Sequence, residues 1–365
     1  MNNIYLQIPD LFSGNQDIVL ATVTGKDGST PQEPGSSAIF SKNGLLEGTI
    51  GGGIVEGKIQ KAAEKAIQSR KSNHFEFNLG NDISDKEAAI CGGQIRILVD
   101  AEVGNSISVF EQIIQSMAEK TPGVLVTMLT GGNETLVSVN RYWLSGGGTI
   151  SIPHEYIERI KPVADDLLIK GLRSEYTRME FSIPGEETTT LFLLEPIFPP
   201  EQLVIAGAGH IGRALTHLGN LLDFEVTVID DRPEYANYEN IKEASHIIVK
   251  DIGEAMQEIS KSNDTYVVIV TRGHKDDAAA LKPCIGSDLA YTGMIGSRKK
   301  INAMRSDFLM KGWATDTQWG KIHAPVGLDI KSQTVEEIAM SIAAQLVLVR
   351  NSKKHEKLRN PESTA

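Results

Sequence analysis

The segment that most constrains the fold is Gln202–Asp231, which reads QLVIAGAGHIGRALTHLGNLLDFEVTVIDD. An apolar run leads into glycines spaced as G-x-G-x-x-G, an amphipathic stretch follows, and a second apolar run ends on two aspartates. This order is typical of the first strand–helix–strand unit of a dinucleotide-binding sheet. More than half of the chain precedes this segment and needs an explanation of its own.

Composition sets broad limits on the class of protein. The 365 residues suffice for about two domains, and the 41% hydrophobic and 23% charged content is typical of a globular chain. The net charge of −11 argues against sequence-independent nucleic-acid binding, which requires a basic surface. We expect no secretory signal, because the first residues lack a basic region followed by an apolar core. We expect no membrane helix, because no apolar run approaches roughly 18 residues. Two widely separated cysteines predict reduced thiols in a cytoplasmic protein.

The glycine-rich turn predicts an anion site. Gly207 permits the tight turn, Gly209 allows close backbone approach to a pyrophosphate, and Gly212 lets the helix pack on the strand. The N–H groups at the helix start face the anion. His210 could donate to a phosphate or simply cap the helix. A sheet of this kind also occurs without a nicotinamide ligand, because a fold does not fix a function.

The acidic pair Asp230-Asp231 ends the next predicted strand, where a carboxylate can accept hydrogen bonds from ribose hydroxyls. Further alternation of strands and helices predicts a parallel, doubly wound sheet. Its strands are predicted at Leu203–Ala206, Val226–Ile229, Ile247–Val249, Tyr266–Val270 and Tyr291–Met294. A last helix is predicted over Val335–Val349, opened by Thr334 and Glu337 in capping-box spacing.

The first half predicts a mixed α+β domain. Strands are expected at Ile18–Thr24, Gln94–Val99, Val124–Leu129 and Thr135–Tyr142, with a hairpin at Ser36–Phe40 and Leu45–Ile50. A helix follows the triple glycine up to about Ser69, and another is expected around Val163–Lys170. The proline-rich Glu195–Gln202 predicts a linker, because prolines do not fit a central strand.

Two glycine segments of the first half are candidate binding elements. Gly51, Gly52 and Gly53 precede a helix that carries Glu56, so they form either an anion site or a tight connection in which Glu56 complements the helix dipole. Cys91, followed by Gly92 and Gly93, is either a soft ligand exposed to a bulky guest or a small packing residue.

Loops after the fourth and fifth predicted strands of the second half supply further candidates. His274 follows the fourth strand at the ligand-binding edge of such sheets, and His323 lies in a later rigid loop. Either histidine could act in acid–base chemistry or be structural. Ser297 follows the fifth strand as a helix N-cap and opens a basic triplet, Arg298-Lys299-Lys300. Cys284 is expected to be a buried packing thiol.

With these segments in view, the sequence closely resembles the xanthine dehydrogenase accessory family of the XdhC/CoxI type. The resemblance rests on collinear motifs along nearly the whole chain. These are GSTPQEPGSSAIF at 28–40, GTIGGGIVEG at 48–57, CGG at 91–93, GAGHIGRAL at 207–215, VTVIDDRPEYA at 226–236, VTRGHKDD at 270–277, YTGMIGSRKK at 291–300 and IHAPVGLDI at 322–330.

This resemblance implies an XdhC/CoxI-type domain at 1–195, a Rossmann-like domain at 196–350 and a flexible tail at 351–365. It implies an accessory protein rather than an enzyme, one that binds the molybdenum cofactor (molybdopterin), protects it, supports its sulfuration by a cysteine desulfurase and inserts it into a molybdenum hydroxylase apo-enzyme. A homodimer is also implied. Cys91 becomes a contact to the metal or to sulfur.

The chain departs from its relatives at two cysteine positions, since Ile54 and a single Cys91 stand where some relatives have further thiols. These departures argue against a two-thiolate clamp. The alternative function is an NAD(P)-dependent oxidoreductase that uses the Gly207 turn, with His274 or His323 as proton donor.

Overall fold

The structure is a computed structural model, and it describes residues 4–14, 16–79, 93–131, 136–146, 152–171, 176–182 and 189–359, with side chains as far as residue 352. Cys91 and Gly92 lie outside the described residues. The chain divides into two compact units, Asn2–Pro199 and Pro200–Ala365. Each unit has its own hydrophobic clusters.

The first unit contains two antiparallel sheets. In chain order its elements are a 3-10 helix Ile4–Gln7, α1 Ile8–Ser13, β1 Ile18–Asp27, β2 Ser37–Ser41, β3 Gly44–Gly48, α2 Gly53–Ser69, β4 Asn73–Asn78, β5 Gln94–Asp100, a 3-10 turn Val103–Ser106, α3 Ile107–Ala118, β6 Gly123–Thr130, β7 Ser138–Ser145, α4 His154–Lys170, β8 Thr177–Ser182 and β9 Thr189–Ile197. The sheet orders are β3-β2-β1-β5-β4 and β7-β6-β9-β8.

Alternation along the strands arranges these sheets into layers. On the first sheet, one set of apolar side chains packs against α2, and on the second sheet one set packs against α4. The opposite faces meet each other in a shared cluster that contains Leu98 of β5, Leu129 of β6 and Leu193 of β9. Because side chains point to alternate faces of a strand, the polar residues that share this register also lie between the sheets.

The second unit is one parallel sheet. Its elements are β10 Gln202–Ala206, α5 His210–Leu221, β11 Glu225–Asp230, β12 His246–Val249, α6 Ile252–Glu258, β13 Thr265–Ile269, α7 His274–Leu281, a 3-10 turn Lys282–Cys284, β14 Tyr291–Met294, α8 Arg298–Met310, α9 Asp316–Trp319 and α10 Val335–Arg359. The strand order is β12-β11-β10-β13-β14. Helices α5 and α10 cover one face and α6 to α9 cover the other, so the predicted Rossmann-like, doubly wound sheet is confirmed.

The predicted linker was wrong in its first part. Glu195, Pro196 and Ile197 were assigned to it but form the end of β9. Pro196 pairs with Val124 of β6, whereas β8 pairs with β9 only as far as Leu194. Beyond Leu194, β9 is therefore an edge strand, where a proline costs no hydrogen bond on the open side.

Two helices are longer than predicted. Helix α4 starts at His154 and contains Pro162, because Tyr156, Ile160, Ala164 and Leu167 form a buried stripe that outweighs the break. Helix α10 continues to Arg359 rather than ending at Val349. The residues that follow Val349 include no glycine or proline before Pro361, so no helix-ending signal interrupts them. The predicted capping box of Thr334 and Glu337 is present.

Candidate functional site: the carboxyl edge of the parallel sheet

The candidate site lies where the strand order of the parallel sheet changes direction. From β10 the chain proceeds to β11 on one side and later to β13 on the other. In open parallel sheets the loops that follow such strands diverge, and ligands bind in the crevice between them. The loop after β10 is the glycine-rich turn, Gly207–Gly209, so the predicted anion-binding turn lies at the crevice.

The three glycines of the G-x-G-x-x-G segment, two in the turn and Gly212 in α5, have different reasons for lacking a side chain. Gly207 has a φ of +119°, and a Cβ there would lie 2.5 Å from the carbonyl oxygen of Val270. A Cβ on Gly212 would lie 1.9 Å from the carbonyl oxygen of Gly207. Gly209 has an ordinary φ of −72°, and a Cβ there would meet nothing within 4 Å among the residues that the structure describes. The fold therefore requires the first and third glycines, whereas Gly209 leaves open space at the start of α5.

Helix α5 begins at His210, which is exposed, and no side chain in the described part of the chain caps the helix. Helix N-termini attract anions through unpaired N–H groups and the helix dipole. The open space at Gly209 therefore gives an anionic group access to these N–H groups. A phosphate contact of His210 stays a prediction.

The acidic pair at the end of β11 divides into a structural and an accessible carboxylate. Asp230 is buried; it accepts from the backbone N–H of Ala208 at 2.8 Å and from the guanidinium of Arg232 at 2.8 and 2.9 Å. Burial alone would raise the pKa of Asp230, but the hydrogen bonds from Arg232 and Ala208 lower it. Asp230 thus fixes the glycine-rich turn. Asp231 is exposed and is the better placed of the two for a ribose.

An ion pair crosses the crevice. Arg272, in the loop after β13, donates to Asp231 at 3.0 Å. Strands β11 and β13 are the two neighbours of β10, so this pair joins the loops that follow the strands on either side of it. Neither Arg232 nor Arg272 was among the predicted site residues. Their positions directly after the acidic pair and after the fourth strand were the available signals.

The loops after β13 and β14 carry the remaining candidates. His274 is exposed at the first position of α7. The Ser297 hydroxyl accepts from the Lys300 N–H at 3.3 Å, which confirms the predicted N-cap of α8. The Lys300 ammonium contacts the completely buried Asp277, which also accepts from the Thr271 hydroxyl at 2.6 Å. One member of the predicted basic triplet therefore neutralises a buried carboxylate.

The contacts of His323 and Cys284 are packing contacts within the second unit. His323 pairs through its backbone with Gly293 of β14, and its ring stacks on Tyr291 with centroids 4.6 Å apart. Burial lowers the pKa of His323. Cys284 is buried, its Sγ lies 3.4 Å from the carbonyl oxygen of Ala280, and burial raises the pKa of the thiol to about 12. Cys284 is thus the packing thiol that was expected.

In the first unit, a carboxylate of the protein itself already binds the backbone of the triple glycine. Gly51, Gly52 and Gly53 all have positive φ, and Gly52 and Gly53 have open space beside them. The carboxylate of Glu56 accepts from the Gly52 N–H at 3.3 Å and from the Thr49 hydroxyl at 3.2 Å. A guest anion would share this turn with Glu56, which favours the interpretation as a helix connection. Binding of a cofactor here stays a prediction.

Gly93 is explained by close packing of backbone. A Cβ there would lie 2.4 Å from the carbonyl oxygen of Ser29 and 2.6 Å from that of Asp27. This glycine is therefore needed whether or not a guest binds. Cys91 and Gly92 lie outside the described residues, so the metal or sulfur contact of Cys91 stays a prediction.

Among the residues that the structure describes, no three histidine, cysteine, aspartate or glutamate side chains form a group that could hold a metal ion. No helix in the same part of the chain combines the length and apolar character needed to cross a membrane.

Comparisons with known proteins agree with this architecture. A family model described as the XdhC Rossmann domain matches residues 203–346, and one described as the XdhC and CoxI family matches residues 11–78. A crystal structure described as a xanthine dehydrogenase from Bacillus halodurans superposes with a TM-score of 0.74 at 22% identity, covering 95% of this chain and 96% of that one. This likeness shows the fold.

Two curated relatives match nearly the whole chain. A Bacillus subtilis (strain 168) protein, named as a probable subunit of xanthine dehydrogenase, is 22% identical over 352 residues, which are 96% of this chain and 98% of that protein. The uncharacterized protein YqeB of Escherichia coli (strain K12) is 22% identical over 351 residues, and the chain spans about half of its length, 47%. The chain therefore belongs to the XdhC and CoxI family of xanthine dehydrogenase accessory proteins.

Proposed function

We propose that this protein binds the molybdenum cofactor as cargo, protects it, supports its sulfuration and inserts it into a xanthine dehydrogenase-type molybdenum hydroxylase. Membership of the family supports the accessory class, and the names of two relatives refer to xanthine dehydrogenase. The observation that carries the proposal is the open start of α5 at Gly209, beside an exchangeable arginine in the crevice.

The crevice suits the anionic end of such a cargo. Molybdopterin carries a phosphate, and N–H groups at a helix start bind phosphate without a dedicated cation. Arg272 is already paired with Asp231, and an incoming phosphate can replace that carboxylate as its partner. If the cargo carries a ribose, the released Asp231 can accept from its hydroxyls. The chain's net charge of −11 makes this local donor set the basis of anion binding.

Cys91 is the proposed contact to the metal end of the cargo. A thiolate is a soft ligand and suits molybdenum or a transferred sulfur atom. This role rests on the resemblance of the CGG motif at 91–93. The partners of the proposed function are a cysteine desulfurase that supplies sulfur, the apo-hydroxylase that receives the cargo, and a second copy of the chain.

Molybdenum content tests the function. The protein is co-expressed with a cofactor-producing pathway and purified, and bound molybdenum and pterin are measured together. We expect wild type to retain both. Gly209→Ala should lower occupancy about tenfold or more, because a methyl group displaces the phosphate from N–H groups, and such charge-assisted hydrogen bonds contribute roughly 1.5–3 kcal/mol each. Cys91→Ala should lose molybdenum more than pterin.

Matched variants separate binding from folding. Gly57 lies inside α2 and also has open space at its Cβ position, so Gly57→Ala controls for the glycine substitution. Cys284→Ala removes the buried thiol and controls for Cys91→Ala. Wild-type protein without molybdenum or pterin would contradict the proposed function, and equal retention by wild type and Cys91→Ala would remove Cys91 from the site.

An NAD(P)-dependent oxidoreductase remains the second candidate, because the turn has the G-x-G-x-x-G spacing on a sheet of the right order. Asp230 already accepts hydrogen bonds from Ala208 and Arg232, so of the acidic pair Asp231 is left to bind a ribose. This weakens the case for an oxidoreductase. Titration with NADH and NADPH distinguishes the two, since tight binding with turnover of a small carbonyl substrate favours the oxidoreductase.

A further inference from the structure

The space between the two sheets of the first unit contains a polar cavity. It has room for about one water molecule. Its polar lining consists of Tyr5, Thr22, Thr127, Arg141, Tyr176 and Glu195. A layer between two packed sheets is normally apolar, and buried polar groups there carry a cost unless each finds a partner. Each polar group that lines the cavity therefore needs a hydrogen-bond partner.

Tyr176 supplies the group that lacks a partner. It lies immediately before β8, and its hydroxyl oxygen is buried without a hydrogen-bond partner among the residues that the structure describes. Burial, together with the nearby Glu195 and Tyr5, raises the pKa of the Tyr176 hydroxyl, which stays protonated as a donor. A buried hydroxyl that is left unsatisfied destabilises the fold, so such groups normally contact protein or ordered water.

Glu195 supplies the other end of the network. Its carboxylate accepts from the Tyr5 hydroxyl at 2.7 Å. Arg141, the cation beside the cavity, makes its ion pair with the completely buried Asp100. Burial raises the pKa of Glu195 to about 7, although the Tyr5 hydrogen bond and the Arg141 charge act in the opposite direction. The carboxyl group is therefore protonated in a large fraction of molecules near neutral pH.

We propose that this cavity is the binding site of one internal water molecule that joins the Tyr176 hydroxyl to the Glu195 carboxyl group and shares a proton with them. The volume admits one molecule of this size, and a buried water needs two to four polar partners. Tyr176 and Glu195 provide two, and the hydroxyls of Thr22 and Thr127 line the same space. Binding of an ion in the cavity is disfavoured, because the positive charge of Arg141 is already neutralised by the negative charge of Asp100.

Side chains from several elements face Glu195, so the protonation of its carboxyl group depends on all of them. Tyr5 approaches from the first 3-10 helix, Arg141 from β7, and Tyr176 from the start of β8. Arg178 of β8 adds positive charge near Tyr176. Arg141, Tyr176 and Glu195 belong to the second sheet or border it, Tyr5 belongs to the 3-10 helix, and Thr22 of β1 brings the first sheet to the same cavity. The water therefore joins the second sheet to the 3-10 helix and lies against the first sheet.

Replacing Tyr176 with phenylalanine tests the water. If the water is present, Tyr176→Phe removes one of its partners and the folding equilibrium constant should fall about fivefold, the value of one ordinary hydrogen bond. If the cavity is dry, the same substitution deletes an unsatisfied hydroxyl and the protein becomes equally or more stable, which overturns the proposal. Denaturant titration of the full chain measures the difference.

Tyr142→Phe is the matched control. Tyr142 lies on β7 in a partly buried position, packed against the α4 side of its sheet. We expect less than about a twofold change for this variant. As a second readout, a crystal structure of wild type should show one ordered density peak between Tyr176 and Glu195, and its absence at high resolution would also refute the site.

The pH dependence of stability provides a separate prediction. Glu195 has a folded-state pKa of about 7, above its ordinary 4.5, so its contribution to stability is fully present below about pH 4.5 and is lost as pH rises through about 7. Glu195→Gln, which cannot ionise, should lack this loss and be more stable than wild type at pH 8. Denaturant titrations of both proteins between pH 5 and 8 make the comparison. A wild-type stability that runs parallel to that of Glu195→Gln over this range would contradict the proton-sharing network.

Discussion

Replacing Gly207 with alanine is expected to destabilise the second unit by at least about 3 kcal/mol. Two penalties combine at this position. A φ of +119° lies in a region that side-chain-bearing residues rarely adopt, and the new Cβ would lie 2.5 Å from the carbonyl oxygen of Val270. Relief of the contact would require separation of β10 from the loop after β13, which would break the order of the crevice.

Gly209→Ala is the control, because its φ is ordinary and its Cβ position is open. It should change the free energy of unfolding by less than about 1 kcal/mol while it lowers cargo retention. Denaturant titration with circular dichroism measures the stability of both variants. A Gly207→Ala protein as stable as wild type would show that the turn has another low-energy conformation.

Replacing Arg141 with methionine is expected to cost about 3–5 kcal/mol, because it leaves Asp100 as a buried charge without its counter-ion. Both side chains of this pair are almost completely buried. Asp100 also accepts from the Ser72 hydroxyl and from the Glu102 N–H, each at 2.9 Å, so it cannot turn toward solvent without losing these bonds. The measurement is the free energy of unfolding of the full chain.

The double variant Arg141→Met with Asp100→Asn separates charge from packing. Because neither member of the pair then carries a charge, we expect the double variant to recover a large part of the lost stability. Arg159→Met is the control for the substitution itself, since Arg159 is exposed on α4 and stacks over Phe181 at 4.2 Å. It should cost less than about 1 kcal/mol. A small effect of Arg141→Met alone would indicate that water reaches Asp100.

The parallel sheet could be predicted almost to the residue, because its strands are short apolar runs separated by helices. Central parallel strands are buried on both faces, so a run such as Leu203–Ala206 has no competing pattern. The strands of the antiparallel unit were harder to predict from the sequence. β4 reads NHFEFN and β8 reads TRMEFS, and both mix polar residues with apolar ones along the strand.

The position of the glycine-rich turn in the sheet could be predicted, but the contacts of single residues around it could not. The spacing of Gly207, Gly209 and Gly212 located the crevice, whereas the assignment of Asp230 to a ribose did not anticipate that Ala208 and Arg232 would occupy its oxygens. Such pairing depends on how the loops after β10 and β11 approach each other. The buried pair of Arg141 and Asp100 was not predictable for the same reason, since the partners lie 41 residues apart on different sheets.

The ion pair of Asp231 and Arg272 should make anion binding sensitive to the ionic strength of the solution. Asp231 and Arg272 are both exposed, and pairs of this kind contribute no more than about 1 kcal/mol. Dissolved salt screens them, with a Debye length of about 8 Å at physiological ionic strength. The pair therefore opens and closes readily, and rising salt separates Arg272 from Asp231 more often, while it also weakens the attraction of the guanidinium for an arriving anion. Asp276, at 3.6 Å, is the second carboxylate beside Arg272. Binding of an anionic cargo should therefore depend on ionic strength through two opposing effects, easier opening of the ion pair and weaker attraction between the guanidinium and the anion.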